Sequence, residues 1–231
     1  MNIESIDQTV ASVKREVAAK TGFELTDAVC PINGFAPTVG FQRAIYVDSV
    51  CGRVQLLVIS QTKGSLFGLF VELLEKLISI GKVKRHGVDA VFESRYNPFD
   101  RRPGFKYDVD LQAQHYRDFI AEGVDPICFL SKLWDYEDLF VNDGFSGVSL
   151  MSEGLFSELR LDVHKTILLF SKSKKLIRMM AEFLRGANLP EMPTDATGIA
   201  DEPHLHIGHS DFRNKFDQLV ASENAEPFVA P

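Results

Sequence analysis

Apolar positions recur along this chain with two different periods, and the alternation of the periods predicts its elements. Ser5 and Gln8 form a capping box, and Ile6, Val10, Val13 and Val17 follow at helical spacing until Gly22 supplies a left-handed stop. From Phe23 to Gly40, Pro31, Asn33-Gly34 and Pro37 break any period, which predicts an irregular connection. Phe41 to Val47 and Arg53 to Ser60 are rich in β-branched and aromatic residues and read as a hairpin. In Ser65 to Ile80 the polar residues Glu72, Glu75, Lys76 and Ser79 share one stripe, so this helix is expected to be the most buried.

Val88 to Phe92 predicts a short strand, and Val109, Ala113, Tyr116 and Ile120 a third helix that ends at Gly123 and Pro126. Tyr136 to Phe170 reads as a meander of strands, with Leu139–Val141, Gly147–Met151 and the run from Phe156 separated by turn residues. The continuous apolar run Thr166 to Phe170 belongs inside the sheet. Ser173 caps a helix carrying Leu176, Ile177, Met180, Phe183 and Leu184, and Ser210 caps a last one carrying Phe212, Phe216, Leu219 and Val220. Asn188 to Pro203 reads as an exposed connection.

Strands come in clusters without regular strand–helix alternation, which selects an α+β class: a mostly antiparallel sheet with helices packed mainly on one face. A single domain over 1–222 is expected, with a candidate sub-boundary near 123–125 and a frayed tail over 223–231. The apolar fraction of 45% suits a folded core. A net charge of −7 repels phosphate backbones and anionic membranes, so neither nucleic acid nor a membrane is an expected partner. With no apolar leader, no spanning segment and three cysteines (Cys30, Cys51, Cys128) lacking C-x-x-C spacing, a cytoplasmic location is expected.

Chemistry concentrates in His204-Leu205-His206-Ile207-Gly208-His209, followed by Asp211. In an extended segment His204 and His206 point to one side, and His209 at a helix start closes a three-histidine face for a divalent ion such as zinc, with Asp211 orienting it. The segment resembles the His-x-His-x-Asp-His signature of metallo-β-lactamase-like hydrolases, with Gly208 where that signature has aspartate; the resemblance covers six residues and implies metal-dependent hydrolysis. The bland alternative is a polar loop leading into a helix cap, with no cofactor at all. Asp108 and Asp110 read as dipole-satisfying residues before a helix, and His115 and His164 as partly buried imidazoles. Gln61-Thr62-Lys63-Gly64-Ser65 joins a strand to a helix, a context for phosphate, but its residue order departs from a P-loop.

Between Lys82 and Lys106, Arg95, Arg101 and Arg102 are interleaved with Tyr96, Phe99, Phe105 and Tyr107. Arg95, Arg101, Arg102 and Phe105 are therefore the expected contact surface for a protein partner or a small anionic ligand. No complete catalytic set is assembled by local motifs, so a non-catalytic binding or regulatory domain is the first expectation and a zinc-type hydrolase the second. The apolar helix from Leu66 is compatible with a dimer.

Overall fold

A computed structural model of the chain describes residues 3–32, 35, 37–48, 52–80, 88–97, 103–109, 117–152, 156–193 and 203–228. The fold is α+β, and among the described residues every paired strand runs antiparallel to its neighbours. Helix α1 (Ile3–Thr21) leads to strand β1 (Val29–Pro31), hairpin β2 (Gly40–Asp48) and β3 (Gly52–Ser60), then helix α2 (Lys63–Ile80). Strands β4 (Val88–Ser94), β5 (Phe105–Val109) and β6 (Arg117–Val124) precede helices α3 (Pro126–Asp135) and α4 (Glu137–Asn142). The meander β7 (Ser146–Ser152), β8 (Ser157–Leu161) and β9 (Ile167–Ser171) is followed by α5 (Lys174–Gly186), β10 (His204–His209), α6 (Ser210–Ser222) and β11 (Glu226–Pro227).

Eight strands form one sheet in the order β11-β6-β4-β7-β8-β9-β3-β2. The register places Phe41, Ile59, Ile167, Leu161, Val148 and Phe92 in line across it, all fully buried, because alternate residues of paired strands share a face. Onto that face pack α2, α3, α4, α5 and α6, which contribute Phe70, Phe129, Phe140, Met180 and Phe216 to a single apolar cluster. Helix α2 buries every large apolar residue from Leu66 to Leu77 and leaves Glu72, Glu75 and Lys76 exposed, as its pattern predicts.

A second sheet, β1-β10-β5, stands apart in hydrogen bonding and is joined to the first by backbone contact. Gly144, in the turn between α4 and β7, donates its N–H to Ile207 O at 2.7 Å, while Ile207 N–H donates to Ala28 O at 2.7 Å. A Cβ on Gly144 would lie 2.2 Å from Ala28 O and 2.8 Å from Ile207 N, so only glycine admits this approach. Gly208 is held similarly, since its Cβ would meet the Phe145 ring at 2.5 Å and Asp143 Oδ1 at 2.6 Å. Asp27, just before β1, accepts from Lys14 of α1 at 2.8 Å and Lys63 of α2 at 2.6 Å, which ties both helices to this edge.

Four expectations are corrected. Residues 117–124 are a strand, because Phe119 and Ile120 pair in register with Phe92 and Val91 and tertiary pairing outweighs the helical spacing; 110–116 lie outside the described residues. Leu139–Val141 belong to helix α4, all three buried, where a short apolar run leaves the period ambiguous. The stretch read as an irregular connection contains β1, and the terminal stretch from Glu223 contributes β11, which pairs Glu226 with Ile120.

Replacing Gly144 with alanine is expected to destabilise the protein by about 3 kcal/mol or more, as overpacking against fixed backbone does. Urea unfolding of Gly144→Ala against wild type measures it; an unchanged midpoint would mean that β10 docks elsewhere.

Candidate metal centre

Strand β10 lies between β1 and β5, so alternate side chains on one face are enclosed: His204 is 3% exposed and His206 0%. His164 arrives from the loop joining β8 to β9, where Asp162 folds a tight turn by accepting from the His164 and Thr166 amides at 3.0 and 2.9 Å. Lys165 takes a left-handed φ of 62° in that turn, an uncommon conformation for a residue with a side chain. The three rings meet edge to face, with centroids 4.6 Å apart for His204 and His206 and 5.0 Å apart for each of these with His164. One ligating nitrogen from each ring lies within 4.8 Å of the others.

Each of two rings is oriented by a partner on its far nitrogen. His206 Nδ1–H donates to Gly144 O at 2.8 Å, which leaves Nε2 bare and facing inward. Consequently the 2.8 Å contact between the Nε2 atoms of His204 and His206 is a hydrogen bond donated by His204. His164 Nδ1 lies 3.2 Å from Asp162 Oδ2, the carboxylate–histidine arrangement that raises ligand basicity and frees Nε2 for an ion. Burial tends to raise the Asp162 pKa, but the bond and charge of His164, the Thr166 amide and the charge of Lys165 together outweigh this and hold the carboxyl below its usual range. Burial, reinforced by the neighbouring His164 and His204, pushes the His206 pKa down to about 2, so this ring is a neutral ligand.

Such a set fits a zinc-type ion: three imidazoles each turning one nitrogen toward the others, two of them with outer partners in place. A tetrahedral ion with bonds of about 2.0–2.1 Å spaces its nitrogens about 3.3 Å apart, so the His204 and His206 rings need only part slightly. Beside His164 is a cavity of about 20 Å³ whose polar lining includes Thr26, Ser60, Gln61, Lys165 and Thr166. That is room for about one water.

Beneath the rings runs a buried polar network. Asp143 Oδ1 accepts from Tyr96 O–H at 2.7 Å and its Oδ2 from Ser146 O–H, and Lys165 Nζ donates to Ser146 O at 2.8 Å. Burial raises the Asp143 pKa to about 6 and lowers that of Lys165 to about 8, each moderated by the other's charge. Phe145 stacks on Tyr96 and meets His206 edge to face.

Of the histidines named from sequence, His204 and His206 converge, whereas His209 lies at the N-cap of α6, where Nδ1 accepts from Asp211 N–H at 3.2 Å. An i, i+2, i+5 spacing that turns from strand into helix sends the third ring away from the first two. His164 completes the group instead; its only sequence signal is Asp162-x-His164 in a hairpin, and the tertiary pairing of β8 and β9 brings it near. Arg95 follows β4 with its amide bonded to Phe145 O at 2.8 Å, Phe105 begins β5 opposite His209, and Arg101 and Arg102 lie outside the described residues. Asp108 is in β5 opposite His206, and Asp110 and His115 are outside the described residues. Lys63 of the phosphate-like turn bonds Asp27. No helix among the described residues is long and apolar enough to cross a membrane. No family model, curated protein or solved structure matches the chain, so the site is read from its own chemistry.

The neutral state of buried His206 couples to stability. Its folded pKa lies below the unfolded value of 6.5, so the stabilisation is complete above pH 6.5 and is lost progressively as pH falls toward 2. In chelator-treated protein, urea midpoints measured from pH 7 to pH 4 are expected to fall less steeply for His206→Gln than for wild type; parallel slopes would show that His206 is protonated in the fold.

Proposed function

We propose that this chain is a metal-binding domain in which a zinc-type divalent ion, held by His164, His204 and His206, joins the three-stranded sheet to the β8–β9 turn of the large sheet. The observation that carries this reading is the convergence of three inward-facing imidazoles with Gly144 O and Asp162 Oδ2 behind two of them. A solvated histidine needs no such backing. The role is read as binding or regulatory, because the 20 Å³ cavity beside His164 admits a water and no organic substrate. Hydrolysis by the same ion, with a metal-activated water at the fourth position, is the second reading; it is favoured by the open side at His164, whose side chain is 24% exposed.

Protein purified without an affinity tag is expected to carry about one equivalent of zinc or to take up one equivalent of Co²⁺ with a tetrahedral visible spectrum. His164→Ala and His206→Ala are expected to lose it, His209→Ala to keep it, and Asp162→Asn to weaken it about 10- to 100-fold. Chelation is expected to lower stability by about 3 kcal/mol relative to an ion supplied at several hundred times its Kd. Protein that binds neither ion, or metal content unchanged by His206→Ala, overturns the assignment.

A further inference from the structure

A second feature, independent of the metal centre, lies along the β2 edge of the large sheet. Strand β2 is the terminal strand there, and at its start the chain has already begun to add to it: Phe41 N–H donates to Pro190 O at 2.9 Å and Met192 N–H to Phe41 O at 2.7 Å. Pro193 has no N–H with which to continue. Because the outward-facing residues of an antiparallel edge alternate, Arg43, Ile45 and Val47 present their N–H and C=O groups on the same side as Phe41. Ile45 is 50% exposed and Val47 70%, which makes this a long apolar edge of the kind that templates strand pairing.

Beside the edge lies a groove of about 800 Å³ between β2 and the first turns of α5, floored by Ile177 and Met192 and lined by Arg43, Lys174, Lys175 and Arg178. Among the described residues its one acidic lining residue, Glu191, is already bonded to both Arg43 and Arg185, and those bonds hold its carboxyl below the usual range. The groove is therefore a local positive patch on a chain of net charge −7. A second copy docking edge to edge would set Lys174, Lys175 and Arg178 against their own equivalents. An acidic strand meets no such repulsion.

We propose that the β2 edge and the α5 groove bind an extended acidic segment of a partner protein, which adds as a further strand outside Arg43–Val47 and places alternate carboxylates against Lys174, Lys175 and Arg178. Backbone pairing supplies affinity and the basic groove selects sequence.

The test uses a fluorescein-labelled decapeptide of alternating glutamate and valine, with binding to the full chain followed by anisotropy from 25 to 150 mM salt and backbone amide exchange read by NMR. Saturable binding, with slowed exchange at Arg43, Ile45 and Val47, is expected. Ile45→Pro removes an outward N–H without touching the β2–β3 ladder and is expected to weaken binding at least tenfold, as is Lys174→Glu/Lys175→Glu; far-UV circular dichroism confirms that both variants are folded. Binding lost in the charge variant but intact in Ile45→Pro would overturn strand addition in favour of a non-specific polyanion patch. Dimerisation of the free protein, abolished by Ile45→Pro, would instead assign the edge to a second copy. No binding at millimolar peptide would also overturn the proposal.

Discussion

The backbone of Gly144 meets the backbone of β10 with no side chain between them, and the candidate metal centre depends on that contact. Through its N–H, Gly144 holds Ile207 and so fixes β10; through its C=O, it accepts the hydrogen bond of His206 Nδ1–H and turns Nε2 inward. One residue thus sets both the position of the strand and the tautomer of the ring. A side chain at this position would separate the small sheet from the large one, and the His204–His206 face would lose its relation to His164.

Burying this many ionisable groups is costly unless they answer one another. Asp143, Lys165, Tyr96 and Ser146 form a connected set, and Asp162 is satisfied by the amides and ring of its own turn. His206 differs in kind, since burial holds its ring neutral, and neutral imidazole is the form that ligates. An ion would bring positive charge among partners already arranged for it: a carboxylate behind His164 and a carbonyl behind His206. The same principle distinguishes the histidine cluster from the β2 edge. Around the histidines the polar groups are enclosed and mutually satisfied, whereas at the β2 edge the backbone groups and basic side chains face outward.

Much of the secondary structure was legible along the chain. Period-two and period-3.6 patterns marked β2, β3, β4, α2 and α5, because a half-buried face needs that spacing whatever it packs against. Residues 117–124 and 139–141 were misread for one reason: a short apolar run fits either period, and pairing with β4 or packing into the helical layer decides between them. Of the site, the sequence brought out His204 and His206, since two residues two apart in an extended segment share a side. It proposed His209 as the third ligand because local spacing is all a linear pattern contains.

What the sequence determined by itself was therefore the α+β class, the buried face of α2 and one pair of converging histidines, all of which follow from interactions within a few residues. Only the tertiary structure decided that His164 completes the group, that Asp162 and Gly144 stand behind the rings, and that β2 ends the sheet beside a basic groove. Those facts depend on which strands become neighbours, and that is settled by burying the whole apolar face at once, across separations of 40 residues or more between His164 and His204 that no local period records.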